Sequence, residues 1–161
     1  MTWVDLVAIL LFIAGAVVES MRGFGRALFD AIALIIAAKA STMLYPGLAE
    51  RIAISQDTHA NQAWCLALLF VVIGTITILL AKLIQDSLLL SLDAFDPILG
   101  AILGIPAAGA VVYALMAILI TGAGGPEAET AKTYVQSWAA YHFYYFKSYH
   151  SMIDTFRRIG E

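Results

Sequence analysis

Charge is what this sequence has least of. Only 13 % of its 161 residues are Asp, Glu, Lys or Arg, against about 25 % in an ordinary globular domain. Hydrophobic residues make up 61 %, and mean hydropathy is +0.86. A soluble all-α bundle of this composition would expose an unusual share of Leu, Ile, Val and Ala, so an integral membrane protein is expected. The formal net charge is -3, which lacks the basic surplus that nucleic acid requires. Cys65 is the only cysteine, excluding an intramolecular disulfide and any CxxC metal or redox pair. No Lys or Arg precedes the apolar run Leu6 to Val18, so that run reads as a retained helix and not as a secretory signal. There is no GxSxG, HExxH, Walker loop or glycine fingerprint. Ser20, Ser41 and Ser91 each lack a nearby base. His142 and His150 lie eight apart with no further ligand at zinc-like spacing. No enzymatic activity, cofactor or metal is expected.

What is present is organised around Arg22-Gly23-Phe24-Gly25-Arg26, between two hydrophobic segments. Two arginines and two glycines in five residues cannot lie in hydrocarbon as ordinary helix. They read as a tight turn between two membrane helices. Asp93-Ala94-Phe95-Asp96-Pro97-Ile98-Leu99-Gly100 reads as the same device between a second pair.

The first span runs from Trp3 to Met21. Trp3 suits the interfacial belt and Asp5 a headgroup or helix N-terminus. Glu19, in its last turn, is interfacial or paired with Arg22 or Arg26. The second span, Ala27 to about Tyr45, contains Asp30 and Lys39, which are about 13 Å apart along a helix axis and too far to pair. Asp30 is one turn from Arg26, a local ion pair. The sharper alternative is that Asp30 or Lys39 faces a polar path between helices. Lys39 can also snorkel to the surface. Pro46-Gly47 ends this helix, and Leu48 to Ile54 reads as a short surface helix. Ser55-Gln56-Asp57-Thr58 offers caps for the third span, whose uncharged core is Gln62 to Ala81, with the helix continuing to Leu92.

Pro97 to Pro126 carries no charge. It is either one kinked helix, the favoured reading, or a re-entrant half-helix followed by a full one, because Gly100, Gly104, Pro106 and Gly109 interrupt it. Gly100-x-x-x-Gly104 is a helix-packing pattern. After Gly122-Ala123-Gly124-Gly125-Pro126, the residues Trp138, Tyr141, Tyr145, Tyr149, Met152 and Phe156 recur at helical spacing. They predict an amphipathic C-terminal helix at the membrane surface, or one that docks a partner.

The expected fold is therefore all-α and polytopic: a domain over 1–125 of about four transmembrane helices as two helical hairpins, then the aromatic helix over 126–161. Both turns must lie on one side of the membrane. Arg22 or Arg26 can there meet Asp96 or Asp93. The distribution of Arg22, Arg26 and Lys82 votes for that side being cytoplasmic.

An opening Trp3-Val4-Asp5, then Arg22 to Arg26, then Asp96 with Ile98-Leu99-Gly100 and Gly104, resembles the CvpA family, the colicin V production proteins. The resemblance spans roughly residues 1–120. Where the family commonly has an acidic residue directly after the second arginine, this chain has Ala27, and Asp30 stands one turn later. The resemblance implies a multi-pass protein of the bacterial inner membrane, linked to colicin V production and envelope stress tolerance, with no enzymatic activity or cofactor. Two roles remain open. One is a non-catalytic scaffold or accessory factor, a homo-oligomer that binds an envelope or secretion partner. The other is a small oligomeric channel or transporter with Arg22, Asp30, Lys39 and Asp96 lining a polar path.

Overall fold

The computed structural model describes residues 2–88 and 96–144. Four helices dominate: α1 (Trp3–Arg22), α2 (Phe24–Ala49), α3 (Thr58–Leu88) and α4 (Asp96–Gly122). The shortest has 20 residues, and at about 1.5 Å rise per residue that reaches the roughly 30 Å of a hydrocarbon core. All four are long and apolar enough to cross a membrane.

α4 is the central helix and packs on the other three. Its contacts with α1 run antiparallel along the whole length. Val4 and Ala8 meet Val112, Met116 and Ile120 at one end, Gly15 meets Gly104 and Ala108 midway, and Glu19 meets Gly100 near the other end. α2 lies parallel to α4, with Phe24 beside Asp96 and Ala38 against Ala110 and Ala114. α3 runs back along α2, where the Thr77 hydroxyl donates to the Ala33 carbonyl at 3.2 Å. The up-and-down order of two hairpins is thus present, but α1 and α2 touch each other little. α1 finds its partner in α4, and α2 in α3.

Residue size explains this arrangement. Lipid tails attract Leu and Ile as well as protein does, so helices associate where small residues let backbones approach. The buried positions are accordingly rich in alanine, including Ala27, Ala31, Ala37, Ala107, Ala108, Ala114 and Ala117. Leu6, Leu10, Ile13, Ile35, Val71, Leu79, Ile98 and Ile102 face outward.

Several expected boundaries move. α2 passes through Pro46 to Ala49, in place of a stop at Pro46 and a separate surface helix over Leu48–Ile54. The proline costs one backbone bond, while the Ser41 and Thr42 hydroxyls bond the Ala38 carbonyl at 3.0 and 3.1 Å and the ladder resumes with Glu50 N–H on the Pro46 carbonyl. The segment after Pro97 is one helix of 27 residues containing Pro106. α4 ends where Gly125, at φ 95°, bonds back to the Ile120 carbonyl. That positive φ favours glycine, which has no Cβ to strain there.

The tail differs most. Over its described part there is no continuous amphipathic helix. It forms a 3-10 turn (Glu129–Ala131), a single α-turn α5 (Lys132–Val135) and a π-turn (Ala140–Tyr144). The break has a local cause. The Ser137 hydroxyl bonds the Tyr134 carbonyl at 2.6 Å and accepts the Ala140 N–H at 3.0 Å, which substitutes for the helical ladder. Ala139 and Ala140 are then buried against Val4, Ala8 and Met116. Phe143 packs against Phe12 with tilted rings whose centroids are 5.0 Å apart, nine residues down α1 from Trp3, so the tail enters the bundle. Trp138 and Tyr141 stay half exposed. Tyr145, Tyr149, Met152 and Phe156 lie outside the described residues, as does Asp93.

Candidate functional site

The corner between α1 and α2 is a single residue. α1 ends at Arg22 and α2 begins at Phe24, with Gly23 between them at φ 83°, ψ 167°. An L side chain there would be strained and its Cβ would run into the Asp96 carboxylate. With so short a link, the first N–H groups of α2 face outward with no partner in their own helix. Asp96 supplies one: its Oδ1 accepts the Phe24 N–H at 3.1 Å. Asp96 is also the first residue of α4. One carboxylate therefore sits at the positive ends of two parallel helices, where an anion is favoured. Gly100, one turn on, lies against the backbone of Glu19, and any Cβ at Gly100 would collide with that carbonyl.

Four charged groups gather at the same end. Arg22 Nη1 bonds Glu19 Oε1 at 3.1 Å and Asp30 Oδ2 at 2.8 Å. Arg26 Nε is 4.0 Å from the same Asp30 oxygen. Glu19 and Asp30 are 5 % and 4 % exposed, while the side chains of Arg22 and Arg26 are 42 % and 38 % exposed. Buried acids thus form the inner wall and guanidiniums the outer one. Formally the four cancel, which is the condition for holding ions at this depth. The cluster is incompletely bonded among the described residues: Glu19 Oε2 and Arg26 Nε are buried without a hydrogen-bond partner.

Topology suggested Arg22 or Arg26 as the partner of Asp96, and Arg26 as the partner of Asp30. The observed contacts bear out Arg26 with Asp30, at 4.0 Å, and Glu19 with Arg22, at 3.1 Å; they add a shorter Arg22–Asp30 bond of 2.8 Å across the corner, and Asp96 accepts from the Phe24 amide. Gly104 lies beside the GxxxG partner Gly100 on the α1-facing side of α4, where a Cβ would approach the Gly15 carbonyl to 2.6 Å. Lys39 is remote from the corner. It is exposed on α2 and borders a cavity of about 470 Å³ with Tyr45, Tyr113 and Thr121.

Three anchors at the opposite end have weak signals in the sequence. Asp5 is buried; its Oδ2 accepts the Thr2 N–H at 2.7 Å and its Oδ1 the Ala139 N–H at 3.2 Å, tying the chain start to the tail. Asn61 accepts from Ile54 and Ser55 N–H and donates to the Ala49 and Ile52 carbonyls, which closes the α2–α3 loop with one side chain. Asp57 caps α3, taking the Ala60 N–H at 2.8 Å, and this bond holds its carboxyl below its ordinary value. Asp57 could be found from its capping position. Asn61 could not, because a polar residue in the first turn of a span looks like any interfacial one.

A family model described as "Colicin V production protein" matches residues 4–147. No curated protein and no solved structure matches the chain. The matched region takes in all four spans and also the tail through 147, beyond the roughly 120 residues whose motifs suggested the family.

Proposed function

Because this chain belongs to the colicin V production protein family, we propose that it serves colicin V production or export and envelope homeostasis as a non-catalytic inner-membrane scaffold. In this reading it self-associates and binds an envelope or secretion partner. The corner end, with its outward guanidiniums, and the exposed aromatic rings of Trp138 and Tyr141 are the docking features.

One observation carries the proposal. The two buried acids Glu19 and Asp30 converge on the single guanidinium of Arg22. The intramembrane charges of the corner are spent on holding two diverging helices together, and are not spread along a path. The close backbone contact of Gly15 with Gly104 supports the same conclusion, since it closes the α1–α4 seam. Lys39, which a conduit through Arg22, Asp30 and Asp96 would need to include, stands nine residues beyond Asp30, about 13 Å along α2.

The test is ion flux through proteoliposomes holding the purified protein, with Arg22→Gln and Asp30→Asn alongside. Tight vesicles for all three proteins are expected. A flux present in the unmodified protein and abolished by either substitution would make the chain an oligomeric conductor and overturn the scaffold reading.

A further inference from the structure

Lys39 takes no part in the corner cluster. Among the described residues, no carboxylate forms an ion pair with it. A cation within a span is expensive unless it is paired or reaches water. The cavity beside it, about 470 Å³, lies within the roughly 300–1,000 Å³ of small-molecule sites. It follows the seam between α2 and α4. Tyr113 and Thr121 are eight residues apart on α4, which sets its length at about 12 Å. Tyr45 and Thr121 stand towards the end that carries the α2–α3 loop. Tyr45, Tyr113 and Thr121, each with a hydroxyl, therefore line the cavity together with Lys39, and the exposed Met43 adds an apolar side chain to its border.

A lone ammonium, several hydroxyl donors and an apolar border, at lipid depth, match one chemistry: a phosphate carried on a hydrocarbon. We infer that this cavity is a site for an anionic phospholipid. Its phosphate sits at the loop end of the cavity, where the Lys39 side chain reaches up to it and Tyr45 and Thr121 offer hydroxyls, and the acyl chains run from there towards Tyr113 and the bilayer centre. Lysine binds phosphate as a point charge. The lipid source is favoured over free phosphate because the site lies between membrane helices, where lipid is already concentrated. The site is separate from the corner cluster, so its failure would leave the scaffold reading standing.

The experiment is a native mass-spectrometric titration of the full-length protein in detergent with phosphatidylglycerol, phosphatidylcholine and inorganic phosphate. Phosphatidylglycerol should be retained in preference to phosphatidylcholine. Lys39→Gln should weaken that retention at least about tenfold, the scale on which loss of one charge-assisted contact reads. Lys39→Arg should preserve it, and so should Lys82→Gln, which removes an exposed lysine of α3 near the corner end. The Arg variant keeps the test decisive if the Gln variant unfolds: loss of phosphatidylglycerol from a folded Lys39→Arg protein counts against the site. Equal retention by Lys39→Gln, or equal retention of the two lipids, would overturn the inference. Displacement of phosphatidylglycerol by millimolar inorganic phosphate would overturn the lipid source.

Discussion

Asp96 opens α4 and accepts the backbone N–H of Phe24, which opens α2, at 3.1 Å. Two residues 72 positions apart thereby fix two parallel helix starts at one level, and Gly23 gives the carboxylate room to approach. Replacing Asp96 by Ala should cost about 1–2 kcal/mol, the scale of a lost helix cap. Asp96→Asn, which keeps an acceptor oxygen and loses the charge, should cost less than half as much. Thermal melts in detergent followed by circular dichroism check the order. Equal losses would mean that the acceptor geometry contributes nothing.

The α1–α4 seam makes a sharper prediction. Gly104→Ala places a methyl 2.6 Å from the Gly15 carbonyl oxygen and 2.8 Å from Ala16 Cα, against backbone that cannot swing aside. A loss of about 1–3 kcal/mol is expected from overpacking. Gly47→Ala meets nothing within 4 Å and should be neutral or stabilising by up to about 1 kcal/mol, since alanine is the better helix former. A neutral Gly104→Ala would show that the helices part without cost.

Much of this architecture could be read from the residues, and the limits of that reading have physical causes. The uncharged run Gln62–Ala81 marks a span whatever packs beside it, and two turns separated by two crossings must share a side. Partner choice is another matter. Arg26 is within ion-pair reach of Asp30, as its i, i+4 spacing predicts, but the shorter bond comes from Arg22, because Gly23 turns the chain so tightly that the end of α1 faces the first turns of α2. Pro46 looked like a helix end because proline usually is one, yet in a membrane other contacts can replace the lost bond. The tail's aromatic spacing was helical on paper, but Ser137 and Asp5 take the backbone groups that a helix would have used. Asn61 carries four bonds that no local pattern announces.

The corner cluster should show coupling. Arg22→Gln removes the closer cation from the buried Glu19 and Asp30 and leaves Asp30 with the more distant Arg26, and Asp30→Asn takes the charge from the acceptor of Arg22's shorter bond. Each change should destabilise by about 1–3 kcal/mol, below the 3–5 of a fully buried pair because Arg22 is partly exposed. The double variant should lose at least about 0.5 kcal/mol less than the sum. Strict additivity in a double-mutant cycle would refute a direct pairing of Arg22 with Asp30.

Asn61 gives a prediction confined to one loop. Asn61→Ala removes four hydrogen bonds and leaves the Ile54 and Ser55 amides without their acceptor. A net cost of about 2–4 kcal/mol follows from roughly 1 kcal/mol per bond. Hydrogen exchange at Ile54 and Ser55 should accelerate well before α3 or α4 does. Acceleration spread evenly over the four helices would instead make Asn61 part of the global core.

The start of α3 should respond to acid in a defined direction. The Ala60 N–H holds the Asp57 carboxyl below its ordinary value of 3.8, so the folded state binds its proton less readily than the unfolded chain. Stability from this cap is therefore complete above that ordinary value and is lost as pH falls through the lower folded value. Amide protection at Ala60 and Asn61, corrected for intrinsic exchange, should be flat at neutral pH and decline only in strong acid. Asp57→Asn, which caps without titrating, should keep its protection across the same range. A wild-type protection factor that does not fall as Asp57 protonates would show that the Asp57 charge does not support the cap. A decline shared by Asp57→Asn would trace the acid sensitivity to another group.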